Sequence, residues 1–231
     1  MDKLSVIAVV LALVALVGGS VLKGAGLAGL WSPAAFVIVI VGTFAAIMLQ
    51  TPSRTFRHAW SIAGWVFHPP RSDTRALVAL ILEWSTTARR QGLLALETEV
   101  DAQADAFVRK GLQMVVDGVE PEAIRQMLDI EVQACRERDL AAAKVFEGMG
   151  VYAPTLGIIG TVLGLIHVLE NLSEPEKLGH LIAGAFVATL WGVMSANVFW
   201  LPLSNKLKRV SEIECHHMEL ILEGVLSVQA G

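Results

Sequence analysis

Residues 151–203 read VYAPTLGIIGTVLGLIHVLENLSEPEKLGHLIAGAFVATLWGVMSANVFWLPL. Two runs within this stretch, 151–169 and 181–203, contain no Asp, Glu, Lys or Arg, and the segment between them, 170–180, is short and acidic. A bilayer core about 30 Å thick is crossed by roughly 20 apolar residues in a helix, so each run is long enough to span. The short connection allows only a reversal, so the two spans form a hairpin.

The same pattern is found at the other end of the chain. Leu4 to Leu22 and Ala34 to Gln50 are also free of charged residues, separated by the glycine-rich segment Lys23 to Pro33 with Gly24, Gly26 and Gly29. Trp31 lies at the edge of the second run, where an interfacial aromatic belongs. A cleaved leader is the alternative for the first run; its length and the lack of an A-x-A site favour a retained span. The whole chain is 54% hydrophobic and 17% charged, against about 25% charged in ordinary soluble domains, with a mean hydropathy of +0.58.

Positive charge orients the spans. Of 18 Lys and Arg residues, all but Lys23 and Lys177 fall on one side of this arrangement. By the positive-inside rule that side is cytoplasmic, and it holds both termini and the long connection. The expected organisation is a transmembrane hairpin over 1–50, a cytoplasmic helical domain over 51–150, a second hairpin over 151–203 and a cytoplasmic C-terminal helix over 204–231. The fold class is an all-α membrane protein with four transmembrane helices.

The long connection has helical rather than strand periodicity. Leu77, Leu80, Ile81 and Trp84 recur at i, i+3, i+4 and i+7 between Asp73 and Arg90, after Pro69-Pro70 and before Gly92. A second helix is expected over Asp101 to Val116, with Phe107, Leu112 and Val115 inward and Asp117-Gly118 at its end. A third begins at Pro121, a residue suited to the first helical position, and runs toward Glu147. In the tail, Ile213, Leu220 and Val225 are expected on one side.

Enzymatic chemistry finds no support. There is no glycine-rich phosphate loop, nucleophile elbow or paired acid and base. Cys135 and Cys215 show no metal-ligand spacing, and a disulfide between them is not expected in a reducing compartment. Adjacent His216 and His217 point about 100° apart on a helix, so with Glu214 and Cys215 they make a poor metal site. No metal, cofactor or nucleic acid is expected.

The membrane segments are more informative. Gly184, Ala188, Gly192 and Ala196 form a small-residue ridge at i+4 spacing, and the third span carries Gly157, Gly160 and Gly164. Such surfaces let helices approach closely in lipid; the contact is expected between subunits, packing within one subunit being the alternative. Thr161 and Thr189 fall at matched depth and suggest a polar lining, though a membrane threonine often bonds its own backbone. His167 reads as an interfacial side chain. Ion-translocating proteins normally hold an ionisable group at depth, and the four spans have no Asp, Glu, Lys or Arg; if the chain handles a proton or sodium ion, a partner must supply the carboxylate. Pro154 opens the third span and Pro202 closes the fourth, either as terminators or as hinges.

With these features in hand, the stretch from Tyr152 to Leu207, together with RRQGLLALE (Arg89 to Glu97) and FVRKGLQMVVDGVEP (Phe107 to Pro121), resembles the MotA/TolQ/ExbB superfamily. The likeness covers essentially the whole chain and is nearest to the flagellar MotA group with its MotC and PomA branches. It implies a stator subunit of the bacterial inner membrane that surrounds a MotB-like single-span partner, commonly as five around two. That partner carries the ion-binding membrane aspartate, and ion flow becomes torque on the rotor protein FliG. By motif position, the resemblance implies rotor contact for Arg89, Arg90 and Glu97, coupling roles for Pro154 and Pro202, and an ion-pathway position for Thr161 and Thr189. Thr161 resembles sodium-type members and Ala188 does not, so the ion stays open between proton and sodium.

Three competing readings are weighed against this. A TolQ/ExbB-like energiser of outer-membrane transport has three spans, which the first hairpin opposes. A defence motor resembling ZorA would carry a long tail. A passive scaffold would make Thr161 and Thr189 matter for assembly alone.

Overall fold

The computed structural model describes residues 2–22, 24, 28–70 and 73–230. Lys23 and Gly26 of the first loop lie outside the described residues. Among those described the regular structure is helical throughout. The helices are α1 (Lys3–Leu22), α2 (Pro33–Gln50), α3 (Ser53–Ile62), α4 (Thr74–Gln91), α5 (Glu97–Ala102), α6 (Ala106–Val116), α7 (Pro121–Glu170) and α8 (Pro175–Ala230). Four of them, α1, α2, α7 and α8, contain stretches long and apolar enough to cross a membrane.

Two compact units result. One comprises residues 1–69 and 139–208, the other 70–138 and 209–231, so α7 and α8 contribute to both. Relative to the segments read from sequence, 51–69 and 139–150 belong with the membrane helices. Helix α7 is continuous where a cytoplasmic helix and a third span were expected to meet. Pro154 therefore lies inside a helix rather than opening one, and Pro202 lies inside α8 rather than closing it.

In the first unit, the starts of α1 and α2 are each set by a local polar side chain. Ser32 accepts the Ala35 N–H at 3.3 Å with Pro33 at the first position of α2. Asp2 accepts from the Leu4 N–H at 3.1 Å and the Ser5 hydroxyl at 3.0 Å at the start of α1. Ile47, Ala59, Ile62, Ala142, Ala143, Phe146, Met149 and Leu207 form the core where α2 and α3 meet α7 and α8. Phe44, Trp60, Phe146 and Trp200 pack ring against ring there, with centroids 5.4–6.5 Å apart. Helix α1 buries only Ser20 among its residues, and the groove lined by its Leu13–Ser20 stretch is faced by Leu190, Trp191 and Met194 of α8.

In the second unit, Asp73 caps α4 by accepting from Arg75 and Ala76 N–H groups. Gly92, at φ +86°, ends that helix in a conformation that side-chain-bearing residues rarely adopt. A tight turn, Leu93–Leu96, leads into α5. Asp105 caps α6 by accepting the Phe107 N–H at 2.8 Å, so that helix starts at Ala106 and not at Asp101. Leu77, Trp84, Phe107, Leu112, Val115, Ile124 and Leu128 pack with Ile221 and Val225 of α8. Ile213, expected to share the inward side with Leu220 and Val225, is 60% exposed. Twelve residues advance a helix by 120° beyond full turns, so Ile213 and Val225 cannot share a narrow stripe.

Candidate functional site

Within the first unit, α7 and α8 run side by side with backbone nearly touching backbone. A Cβ placed on Gly157 would lie 2.9 Å from the Ala188 carbonyl oxygen, and one on Gly164 would lie 2.6 Å from the Ala185 Cβ. Gly160 approaches Ala188 in the same way, and Gly192 approaches Ala153, Pro154 and Gly157. These glycines therefore face small residues of their own chain, not a neighbouring subunit as expected. Ala196 is buried against Val39 and Ala153. Gly184 has nothing within 4 Å and stands apart from this packed surface.

The close approach brings the two threonines together. Thr161 Oγ1 lies 2.5 Å from Thr189 Oγ1, 3.1 Å from the Gly157 carbonyl and 3.1 Å from the Ala185 carbonyl. Each hydroxyl has one proton to donate. If Thr189 donates to Thr161 and Thr161 to a carbonyl, every proton is used and the Thr189 oxygen keeps its lone pairs. Those lone pairs border an open apolar groove lined by Ala183, Phe186, Val187, Leu190 and Val193. Such an arrangement can offer an oxygen to a cation or to a protonated carboxyl brought by another helix. Thr161 thus back-bonds to the Gly157 carbonyl four residues earlier, and Thr189 is the hydroxyl that lines the groove.

The two prolines lie toward one end of this contact. Pro154 lies 3.2 Å from the position of a Gly192 Cβ, and Leu201, next to Pro202, fills the space over Gly150. Each proline removes one N–H from its helix and crowds the carbonyl four residues earlier. At Pro202 the strain is relieved by a widened π turn over Ala196–Trp200, in which the Leu201 N–H donates to the Ala196 carbonyl five residues back. The carbonyl left over at Pro154 belongs to Gly150. Both prolines mark places where the helical hydrogen-bond ladder is interrupted within a continuous helix.

Arg89 and Arg90 are exposed in the last turn of α4, and Glu97 is exposed in the first turn of α5. The order of charge suits the helix dipoles, basic at a C-terminus and acidic at an N-terminus. Elsewhere in this unit, Arg125 grips Glu223 at 2.6 and 3.0 Å, and Arg136 bonds Glu219 at 2.7 Å. The guanidinium beside each glutamate holds its carboxyl below the usual carboxylate range.

Two polar pairs were missed in sequence. His58 Nε2 lies 2.6 Å from Asp139 Oδ1, whose side chain is fully buried. Lys206 donates to Asp2 at 2.5 Å, and this, with the two local bonds at the start of α1, lowers the Asp2 carboxyl. The partners are 81 and 204 positions apart, so no local pattern could have signalled them. His167 is exposed at 3.4 Å from Glu170.

The profile of the MotA/TolQ/ExbB proton channel family matches residues 99–220. "Motility protein A" of Bacillus subtilis (strain 168) is 43% identical over 232 aligned residues, covering 100% of this chain and 86% of that protein. The flagellar MotAB stator complex from Bacillus subtilis superimposes with a TM-score of 0.93 at 42% identity, covering 100% of this chain and 91% of the other. The C. jejuni MotAB structure gives a TM-score of 0.95 at 27% identity, covering 100% and 90%. The chain belongs to the MotA/TolQ/ExbB proton channel family.

Proposed function

We infer that this chain is a flagellar stator subunit, and the observation that carries the inference is its end-to-end likeness to Motility protein A and to MotAB stator structures. That likeness favours the stator over a TolQ/ExbB-like energiser. The family is a proton channel family and not one of enzymes.

The finer reading rests on the chemistry of the chain. Several copies, five by family resemblance, surround a MotB-like dimer in the bacterial inner membrane, with both termini cytoplasmic. The partner's membrane aspartate supplies the ionisable group that the four spans lack. Thr161 and Thr189 border the ion's passage beside that aspartate; the support is their 2.5 Å hydroxyl pair at the edge of an open groove. Pro154 and Pro202, where the helical ladders are interrupted, pass the resulting movement toward the cytoplasm. Exposed Arg89, Arg90 and Glu97 act on FliG.

The test is swimming speed in cells that rely on this subunit and its partner alone, measured against external sodium at fixed pH. Speed that rises and saturates with sodium assigns a sodium motor. Speed indifferent to sodium but abolished by a protonophore assigns a proton motor. Non-motile cells with a correctly assembled complex overturn the stator reading.

A further inference from the structure

The turn after α4 displays a leucine outward between charges of both signs. Leu93 packs against the core and Leu96 is fully buried, yet Leu94 between them is 74% exposed. Gly92, at φ +86°, reverses the chain just before it, and the tight turn Leu93–Leu96 is pinned from beneath on both sides. Leu94 is thus held at the tip of a supported turn. Arg89 and Arg90 precede it and Glu97 follows it, all exposed. Among the described residues, none of these three takes part in an ion pair within the chain.

We propose that Leu94 is the apolar anchor of the rotor-docking surface, entering an apolar notch on the rotor that is flanked by an acidic group facing Arg89 and Arg90 and a basic group facing Glu97. The proposal rests on the reading of those three residues as rotor contacts and names what gives the contact its hold. Exposed ion pairs contribute little on their own and are screened at cellular salt. They steer approach and set orientation, whereas holding under load calls for a dewetted centre with charges at its rim. This turn has that layout in miniature, with opposite charges on either side to set the direction of docking. A single exposed leucine is ordinary on a protein surface. The distinguishing features here are its fixed display on a pinned turn and its position between uncommitted charges.

The experiment uses cells in which this subunit and its native partner are the sole stator. Wild type, Leu94→Gln, Leu94→Met and Arg89→Glu are compared for the number of fluorescently tagged units engaged at each motor, stall torque and the size of the purified complex. The proposal expects Leu94→Gln to lower engagement by about fivefold or more, the least that truncating a contributing interface residue produces. Leu94→Met, which keeps the apolar reach, stays within about twofold of wild type. Complex size is unchanged in both. Wild-type engagement by Leu94→Gln alongside loss in Arg89→Glu means a purely electrostatic contact and overturns the anchor while leaving the rotor reading in place. Dissociation of the Leu94→Gln complex places Leu94 between copies of this chain and also overturns it. Wild-type engagement by both Leu94→Gln and Arg89→Glu removes the rotor reading of this surface, and the anchor with it.

Discussion

Replacing Gly192 with alanine tests the backbone contact that joins the two threonines. A Cβ at this position would lie 2.5 Å from the Ala153 carbonyl oxygen, 3.1 Å from Gly157 Cα and 3.2 Å from Pro154 Cα. All three are backbone atoms, so no side-chain rotation makes room. Since ordinary contact begins at 3.4 Å, α7 and α8 must separate locally by about 0.9 Å, an overpacking strain of roughly 1–3 kcal/mol. Thr189 lies one turn before Gly192, and Thr161 lies one turn after Gly157. Separation by that amount carries the hydroxyl pair from 2.5 Å to about 3.4 Å, outside the range of a good O–H···O bond. The assay is thermal unfolding of the purified complex together with ion flux in vesicles. Gly192→Ala is expected to lower the midpoint by about 3–10 °C and to reduce flux. Gly184→Ala, with nothing within 4 Å of its Cβ, is expected to change the midpoint little. Equal tolerance of the two substitutions would refute the claim that this contact sets the spacing of the threonines.

Three further outcomes are expected. Thr161→Val preserves shape and removes the hydroxyl bonded to Thr189, so vesicle flux should fall by about tenfold, on the scale of one lost hydrogen bond, while Thr161→Ser retains it; flux measured alongside complex size separates conduction from assembly. His58→Ala takes the imidazole from the buried Asp139 carboxylate, and denaturant unfolding should show a loss of about 1–2 kcal/mol, the lower part of the usual range because His58 is partly exposed. The carboxyls of Glu219 and Glu223 are held below their ordinary value near 4.5, so the stabilisation they confer is complete above about pH 4.5 and fades as pH falls through their lowered values. Unfolding midpoints should therefore fall as pH drops through that acid window, and Arg136→Gln should remove the part of the fall that belongs to Glu219.

The parts of this molecule legible in its sequence are those decided over a few neighbouring residues. Charge-free runs of bilayer length announce the spans, since hydrocarbon excludes charge. Asp73, Gly92 and Pro121 mark helix ends through capping, left-handed backbone and the first-turn tolerance for proline. The matched depth of Thr161 and Thr189 follows from helical rise alone, and the glycine spacing shows that some close helix contact must exist. The same local logic misleads at the prolines, which read as helix ends yet sit inside α7 and α8. There the packed neighbouring helix and a widened turn take up what proline removes.

Which surface the glycines touch is a different kind of question. Glycine spacing is identical whether the partner helix belongs to the same chain or to another, so only the folded arrangement assigns Gly157, Gly160 and Gly164 to Ala185, Ala188 and Gly192. The meeting of His58 with Asp139, the inward turn of Val225 and outward turn of Ile213, and the display of Leu94 on a pinned turn have the same origin. Each depends on the rotation and approach of elements distant in the chain, which tertiary packing sets and residue order along one helix does not.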